Sequence, residues 1–249
     1  MGSRKRNIPH GRPKRKRARA KRYLVVTNGE VTEKQYFEYL NSDNGIAIMP
    51  RTKKLDPENL ALLAKSLWKE DQKESFASAK EGKSEPYEHV FVVTDVDEYT
   101  ASQFKEADKI CKHKSFDLII SNPCFEVWLI DHVEVCPASI HMTEDANKRA
   151  HSLGLTKGSD NKEIEIKAVD GLHDKAIKNA YVHMNDARQR IKRENLDKLD
   201  FAPWTDMPKV IEILKQKYRL PLVPLSIFLI TSPKQSKQTF SQNQPHSVS

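Results

Sequence analysis

Asp95 and Asp97 stand two residues apart at the end of a short, almost wholly apolar run, residues 90–94 (VFVVT). In an extended chain a spacing of two aims both carboxylates to the same side. A β-branched run without polar alternation fits a strand covered on both faces. Ligands of open α/β sheets bind beyond the carboxyl ends of such strands. Two hard oxygen donors at that edge suit a divalent cation, Mg²⁺ or Mn²⁺. Glu126 follows a second apolar run, residues 116–120 (FDLII), and opens a helical stretch near the same edge. It can serve as a further ligand or position a water. His132, six residues later, falls on a different helical face and is the weaker acid–base candidate.

A sheet is needed to carry these groups. Residues 23–27 (YLVVT) read as a first strand, followed by the turn signal Asn28-Gly29-Glu30. A helix follows with Tyr36, Phe37 and Leu40 on one face and Thr32 able to cap it. Residues 46–49 suggest a second strand, and Asp56-Pro57 reads as the cap and first residue of a helix with the stripe Leu60, Leu63, Ala64 and Leu67. After a polar loop, 73–87, come a third strand (89–94), a helix (101–113), a fourth strand (116–120) and a helix begun by Ser121-Asn122-Pro123. Phe125, Trp128 and Leu129 form the inward face of that last helix. This alternation predicts an α/β fold, with about four mainly parallel strands sandwiched by helices.

From Glu134 onward the pattern turns helical and polar. Helices are predicted over 143–153, over 171–194 and from Thr205 or Asp206 through Leu214, with a charged loop at 154–170. The chain thus divides into a basic arm (1–22), the α/β core (23–135), a helical C-terminal part (136–218), and an apolar segment with a polar tail (219–249). Residues 220–231 (LPLVPLSIFLIT) are too short to span a membrane and read as an edge strand or a partner surface.

The net charge of +8 is unevenly spread. Residues 1–22 hold eleven of the 42 Lys and Arg and no acid, which leaves 31 basic against 34 acidic side chains elsewhere. The arm, with Arg15, Lys16, Arg17 and Arg19 at its densest, can meet nucleic-acid phosphates, or be a solvated disordered tail. It also resembles a nuclear import signal. A mean hydropathy of −0.68 and the lack of a run of about 18 apolar residues predict a soluble chain. Cys111, Cys124 and Cys136 have no CxxC spacing, and the N-terminus has no apolar signal core, so free thiols in a reducing cytoplasm are expected. A zinc site using His113 or His132 is the minor alternative.

Three segments fall in one order: TNGEVTEKQYF after the first strand, TDVDEY after the third and SNPCFEVWLIDH after the fourth. Together they resemble the RloB-like family, whose members show EGxxTExxYF, then DxDE, then SNPCFExWLLxH. Residues 205–214 are also similar to the family's later T-x-x-x-V-x-x-L. The resemblance implies a Toprim-like core, in which a Glu after the first strand and a DxD after the third hold Mg²⁺ for phosphoryl transfer. It further implies an ABC-type ATPase partner, a role in abortive-infection defence against phage, and a bacterial or archaeal setting that argues against nuclear import.

The sequence departs from that pattern at Asn28, where the family has Glu. A neutral amide binds Mg²⁺ more weakly than a carboxylate and cannot act as a general base. Glu30 and Glu33 are the nearest carboxylates able to take its place. The resulting expectation is a Mg²⁺-dependent nuclease of DNA or RNA, tRNA included. Its catalytic candidates are Glu30, Glu33, Asp95, Asp97, Glu126 and His132. Its metal candidates are Asn28, Glu30, Asp95, Asp97 and Glu126, and Lys157 and Lys162 can meet phosphate.

Each residue also has a structural reading. The Asp pair can cap the next helix, Glu33 and Glu126 can be first-turn acids, and Tyr36, Phe125 and Trp128 can be core. At the level of the whole chain the alternatives are a degraded Toprim module that binds nucleic acid or the ATPase without cleavage, and a pure interaction subunit using the C-terminal half and residues 220–231.

Overall fold

The computed structural model describes residues 20–41, 46–78, 85–96, 99–194 and 198–216. Its strands are β1 (Lys21–Thr27), β2 (Ile46–Thr52), β3 (Tyr87–Asp95), β4 (Asp117–Asn122), β5 (Thr156–Lys157), β6 (Glu163–Ile164) and β7 (Trp204–Thr205). The helices are α1 (Thr32–Leu40), α2 (Pro57–Ser78), α3 (Ala101–Lys114), α4 (Glu126–Asp131), α5 (Thr143–Ser152), α6 (Ile166–Val169), α7 (His173–Glu194) and α8 (Met207–Gln216). Five strands form one sheet in the order β2-β1-β3-β4-β7. β1 pairs in parallel with β2 and β3, and β3 with β4. β7 runs antiparallel to β4 through Ser121↔Thr205 and Asn122↔Trp204.

The apolar strands are buried from both sides, as their unalternating composition requires. Tyr23, Val25, Phe91 and Val93 pack into one core with Tyr36, Phe37 and Trp128 of α1 and α4. The intervening Leu24, Val26, Val90 and Val92 pack into a second core with Leu60, Ala61 and Ala64 of α2 and Ala107 and Cys111 of α3. The period-two alternation of β1 and β3 therefore feeds two helical layers. The crossover through α1 carries the chain from β1 to β2, and the crossover through α2 carries it back past β1 to β3. Right-handed crossovers that reverse direction place their helices on opposite faces, and the strand order reverses between β1 and β3.

Helix ends follow local chemistry. The Asp56 carboxylate accepts the Asn59 N–H at 3.1 Å, one turn into α2, with Pro57 at the first helical position. Thr100 and Gln103 form a reciprocal capping box on α3, and Ser115 ends that helix with φ 56°. Ala176, Ala180, Met184 and Ala187 are the buried stripe of α7.

Several elements differ from the sequence reading. Thr32 does not cap α1: the cap position is Val31, with no side-chain bond, and the Thr32 hydroxyl is used elsewhere. β1 begins at Lys21, and Arg22 reaches Asp71 at 2.6 Å, so these two basic residues belong to the sheet. α2 runs on to Ser78, through part of the stretch assigned to a loop. Pro123 does not open a helix: the Asn122–Pro123 bond is cis and α4 starts at Glu126. Residues 154–170 form the β5–β6 hairpin and α6, where the sequence shows only a charged loop. The fifth strand, β7, was hidden in a two-residue segment too short to have a period.

The C-terminal residues are tied to the sheet through Asp206, whose N–H donates to the Ile120 carbonyl at 2.8 Å. Asn122 also donates to the carbonyls of Leu199 and Phe201. No helix among the described residues is long and apolar enough to cross a membrane. Asp97, the arm with Arg15, Lys16, Arg17 and Arg19, and residues 220–231 lie outside the described residues.

Candidate functional site

At the strand-order reversal, the carboxyl ends of β1 and β3 open onto a cavity of ≈ 300 Å³. Open α/β sheets place ligands at such a reversal, where neighbouring loops diverge and leave a crevice. The wall is built from separate parts of the chain. Asn28, Gly29, Glu30 and Val31 come from the loop after β1, and Thr32 and Glu33 from the start of α1. Lys54 follows β2, Asp95 ends β3, Tyr99 precedes α3, and Cys124 and Glu126 follow β4. Thr143 and Lys162 close the wall from the C-terminal half.

The loop after β1 is set by two short bonds. The Gly29 N–H donates to the Thr27 hydroxyl at 3.2 Å, and the Gln35 N–H to the Val31 carbonyl at 3.0 Å, starting α1. Gly29 is required by the packing of Glu33, because a Cβ on residue 29 would land on the Glu33 carboxyl group. The turn signal Asn28-Gly29 therefore also makes room for a carboxylate.

Glu33 and Glu126 are both buried, at 5% and 4% exposure. Burial, and then the charge of Glu126, push the Glu33 carboxyl up to about 7, while Lys162 opposes the rise. The Thr32 hydroxyl donates to the Lys162 carbonyl at 2.9 Å and lies 3.4 Å from Glu126 Oε1. Cys124 sits beside Glu126 and Asp95: burial and then both carboxylates hold its thiol well above the ordinary range. The Asn28 amide oxygen is buried and accepts no hydrogen bond among the described residues.

Asn28, Glu30, Glu33, Asp95 and Glu126 are thus brought to one cavity, with Glu30 on its exposed rim. Lys162 lines it, whereas Lys157 pairs with Glu165 at 3.0 Å outside it. His132 is not on this wall. Its Nδ1–H donates to the Trp128 carbonyl at 2.9 Å, and its Nε2 faces Tyr36 Oη and His173 Nδ1, each at 3.4 Å. Burial drives His132 down to about 4, so the ring is neutral. The last residue of α4, Asp131, is likewise structural: its carboxylate meets His183 at 2.8 Å and accepts the Cys136 N–H at 3.1 Å. Tyr36, Phe125 and Trp128 are core.

Sequence reasoning missed Lys54, Tyr99, Thr143 and Cys124. Lys54 was findable, since it follows the strand that pairs with β1 at the same sheet edge. Thr143 and the seat of Lys162 arise only from tertiary packing.

The donor set has the chemistry of a hard-cation site, with carboxylate and amide oxygens, and the buried Asn28 oxygen has no hydrogen-bond partner among the described residues. Among the described residues no three His, Cys, Asp or Glu side chains converge at metal-ligand spacing. Asp97, the second member of the Asp pair, is not among them. Cys111, Cys124 and Cys136 are separate buried thiols.

Comparison with curated proteins and with solved structures finds no significant match. The family model described as RloB-like protein matches residues 23–214, a span that holds every described wall residue of the cavity as well as β1 through α8 almost entire. The chain is a member of the RloB-like family.

Proposed function

We propose that the cavity is a divalent-cation site for cleavage of a nucleic-acid phosphodiester. The carrying observation is convergence: Asn28, Glu30, Glu33, Asp95 and Glu126, drawn from three distant segments, line one crevice at the strand-order reversal. Asp95, Glu126 and the Asn28 oxygen would hold the ion, with Asp97 two residues from Asp95 in sequence. A bound cation supplies Lewis-acid polarisation of a phosphate oxygen and neutralises the charge gathered there. Glu33, poised near 7, suits general acid–base work at neutral pH. As a carboxylate it takes the proton of the water that attacks phosphorus. As an acid it returns that proton to the oxygen released when the P–O bond breaks. The family resemblance supports the ATPase partner and the anti-phage setting.

The test is cleavage of single-stranded and duplex DNA, RNA and tRNA, with Mg²⁺, Mn²⁺ or chelator, and with and without the partner ATPase. The reading predicts cation-dependent cleavage by wild type and at least a hundredfold loss in Asp95→Ala. Equal cleavage by both would remove Asp95 from the chemistry. A second reading, binding without cleavage, draws on the amide at Asn28 and on the lack of a three-ligand group among the described residues. It predicts nucleic-acid binding with no cut products under any of these conditions.

A further inference from the structure

The β5–β6 hairpin has no part in the five-stranded sheet, yet one of its residues, Lys162, lines the cavity. Its turn is tight: Gly158 has φ 90° and Asn161 φ 57°, and the Asn161 N–H reaches the Gly158 carbonyl at 3.3 Å. Lys162 follows this turn directly. Two bonds seat the returning strand on α1. The Thr32 hydroxyl donates to the Lys162 carbonyl at 2.9 Å, and the Ile164 N–H donates to Gln35 Oε1 at 2.8 Å. The same Thr32 hydroxyl lies 3.4 Å from the Glu126 carboxylate. One side chain therefore fixes the hairpin relative to two carboxylates, Glu126 opposite it and Glu33 next to it in sequence.

The two hairpin lysines differ in their surroundings. Lys157 is paired with Glu165 at 3.0 Å. Lys162 forms no ion pair among the described residues, lines the cavity, and acts on the buried Glu33 by its charge. A cation with no ion pair among the described residues is open to a phosphate oxygen, which offers it a charge-assisted bond. Lys54, which also forms no ion pair among the described residues, lines the same cavity. The carboxylates of the same cavity would repel a phosphodiester that lacked a counter-charge.

We propose that Lys162, held against α1 by Thr32, contacts a phosphate of the nucleic-acid strand and fixes its register over Glu33 and Glu126. The proposal rests on the phosphodiester reading above. Lys162 is the substrate contact, and Thr32 is a positioning residue that acts through the hairpin backbone.

The test uses the full chain and fluorescein-labelled single-stranded DNA and RNA oligonucleotides, with chelator present so that binding is read without cleavage. The basic residues of 1–22 are common to every variant and cancel in the comparison. Lys162→Ala is expected to bind about tenfold more weakly. The slope of log affinity against log salt should fall by about 0.7, the amount for one phosphate contact to a single strand. Lys162→Arg keeps most of the affinity, and Lys157→Ala matches wild type. Thr32→Val weakens binding and Thr32→Ser restores it, a rescue that separates placement of the hairpin from general loss of packing.

If wild type binds and Lys162→Ala binds equally well with the same slope, the assignment of Lys162 is overturned while the phosphodiester reading stands. An equal loss in Lys157→Ala and Lys162→Ala overturns it too, since it marks nonspecific surface charge. If wild type binds neither oligonucleotide, either with chelator or with Ca²⁺ in its place, both fall.

Discussion

Glu33 and Glu126 are buried on the same cavity wall, one at the start of α1 and the other at the start of α4, with the Thr32 hydroxyl beside them. Burial first, and Glu126 second, lift the Glu33 carboxyl to about 7 from an ordinary 4.5. The folded protein therefore holds a proton here that the unfolded chain releases near pH 4.5. The contribution to stability is complete below that pH and is lost as pH rises through about 7. Glu33→Gln removes the titration. It is expected to exceed wild type in stability at pH 8 by on the order of 3 kcal/mol, with the difference gone near pH 4. Urea unfolding across this range reads it, and parallel pH profiles for the two proteins would contradict it. A divalent cation at pH 8 should stabilise wild type more than Glu33→Gln.

Gly29 carries a prediction of different character. Its missing side chain is the space in which the Glu33 carboxyl lies. Gly29→Ala pushes Glu33 out of its seat, and the flexible carboxyl end yields before the backbone does. Cleavage is expected to drop at least tenfold, while the unfolding free energy changes by about 1 kcal/mol or less. Unchanged cleavage with normal folding would show that the seat of Glu33 is immaterial.

His132 is predicted to act on stability and not on chemistry. Its ring is enclosed by Tyr36, Trp128 and His173, and burial keeps it neutral. His132→Ala removes a packed ring and its bond to the Trp128 carbonyl, at a cost of about 2–4 kcal/mol. A neutral buried His with a depressed value contributes stability that is present above about pH 6.5 and is lost as pH falls through about 4. The variant should therefore lose part of the acid sensitivity of unfolding. The midpoints of its pH–rate profile should stay where they are in wild type. A vanished limb in that profile, at normal stability, would return His132 to the chemistry.

The Asp131–His183 pair gives a fourth prediction. Both groups are buried and 2.8 Å apart. Burial raises Asp131 to about 6 even with His183 beside it. His183→Ala leaves a buried carboxylate with a lost partner and should cost about 3–5 kcal/mol. Adding Asp131→Asn to it should recover part of that loss. Additive costs in the double variant would show that the two residues act independently.

The sequence carried the sheet because its strands are long, apolar and buried on both faces, so each leaves its own signature. It carried the carboxylates because Asp95 ends such a strand, Glu126 opens the helix after another and Glu33 lies in the first turn of the first crossover helix. It did not carry β7 or the β5–β6 hairpin, whose strands of two residues are defined by their partners. Thr32 misled for a related reason. Its position before an amphipathic run matches a helix cap, but the hydroxyl is captured by Lys162 and Glu126, residues far away in sequence. His132 likewise stands in the most specific motif, yet that motif mixes wall residues such as Cys124 and Glu126 with purely internal ones such as Trp128 and Asp131.

The central claim is that the β1–β3 crevice holds a divalent cation through Asp95 and Glu126. Its most direct test is titration of Mn²⁺ into the full chain, read by electron paramagnetic resonance, for wild type, Asp95→Ala and Glu126→Gln at matched pH. Saturable binding by wild type is predicted, weakened at least tenfold in each variant. Tight binding that survives both substitutions, or no binding by wild type at all, would contradict it.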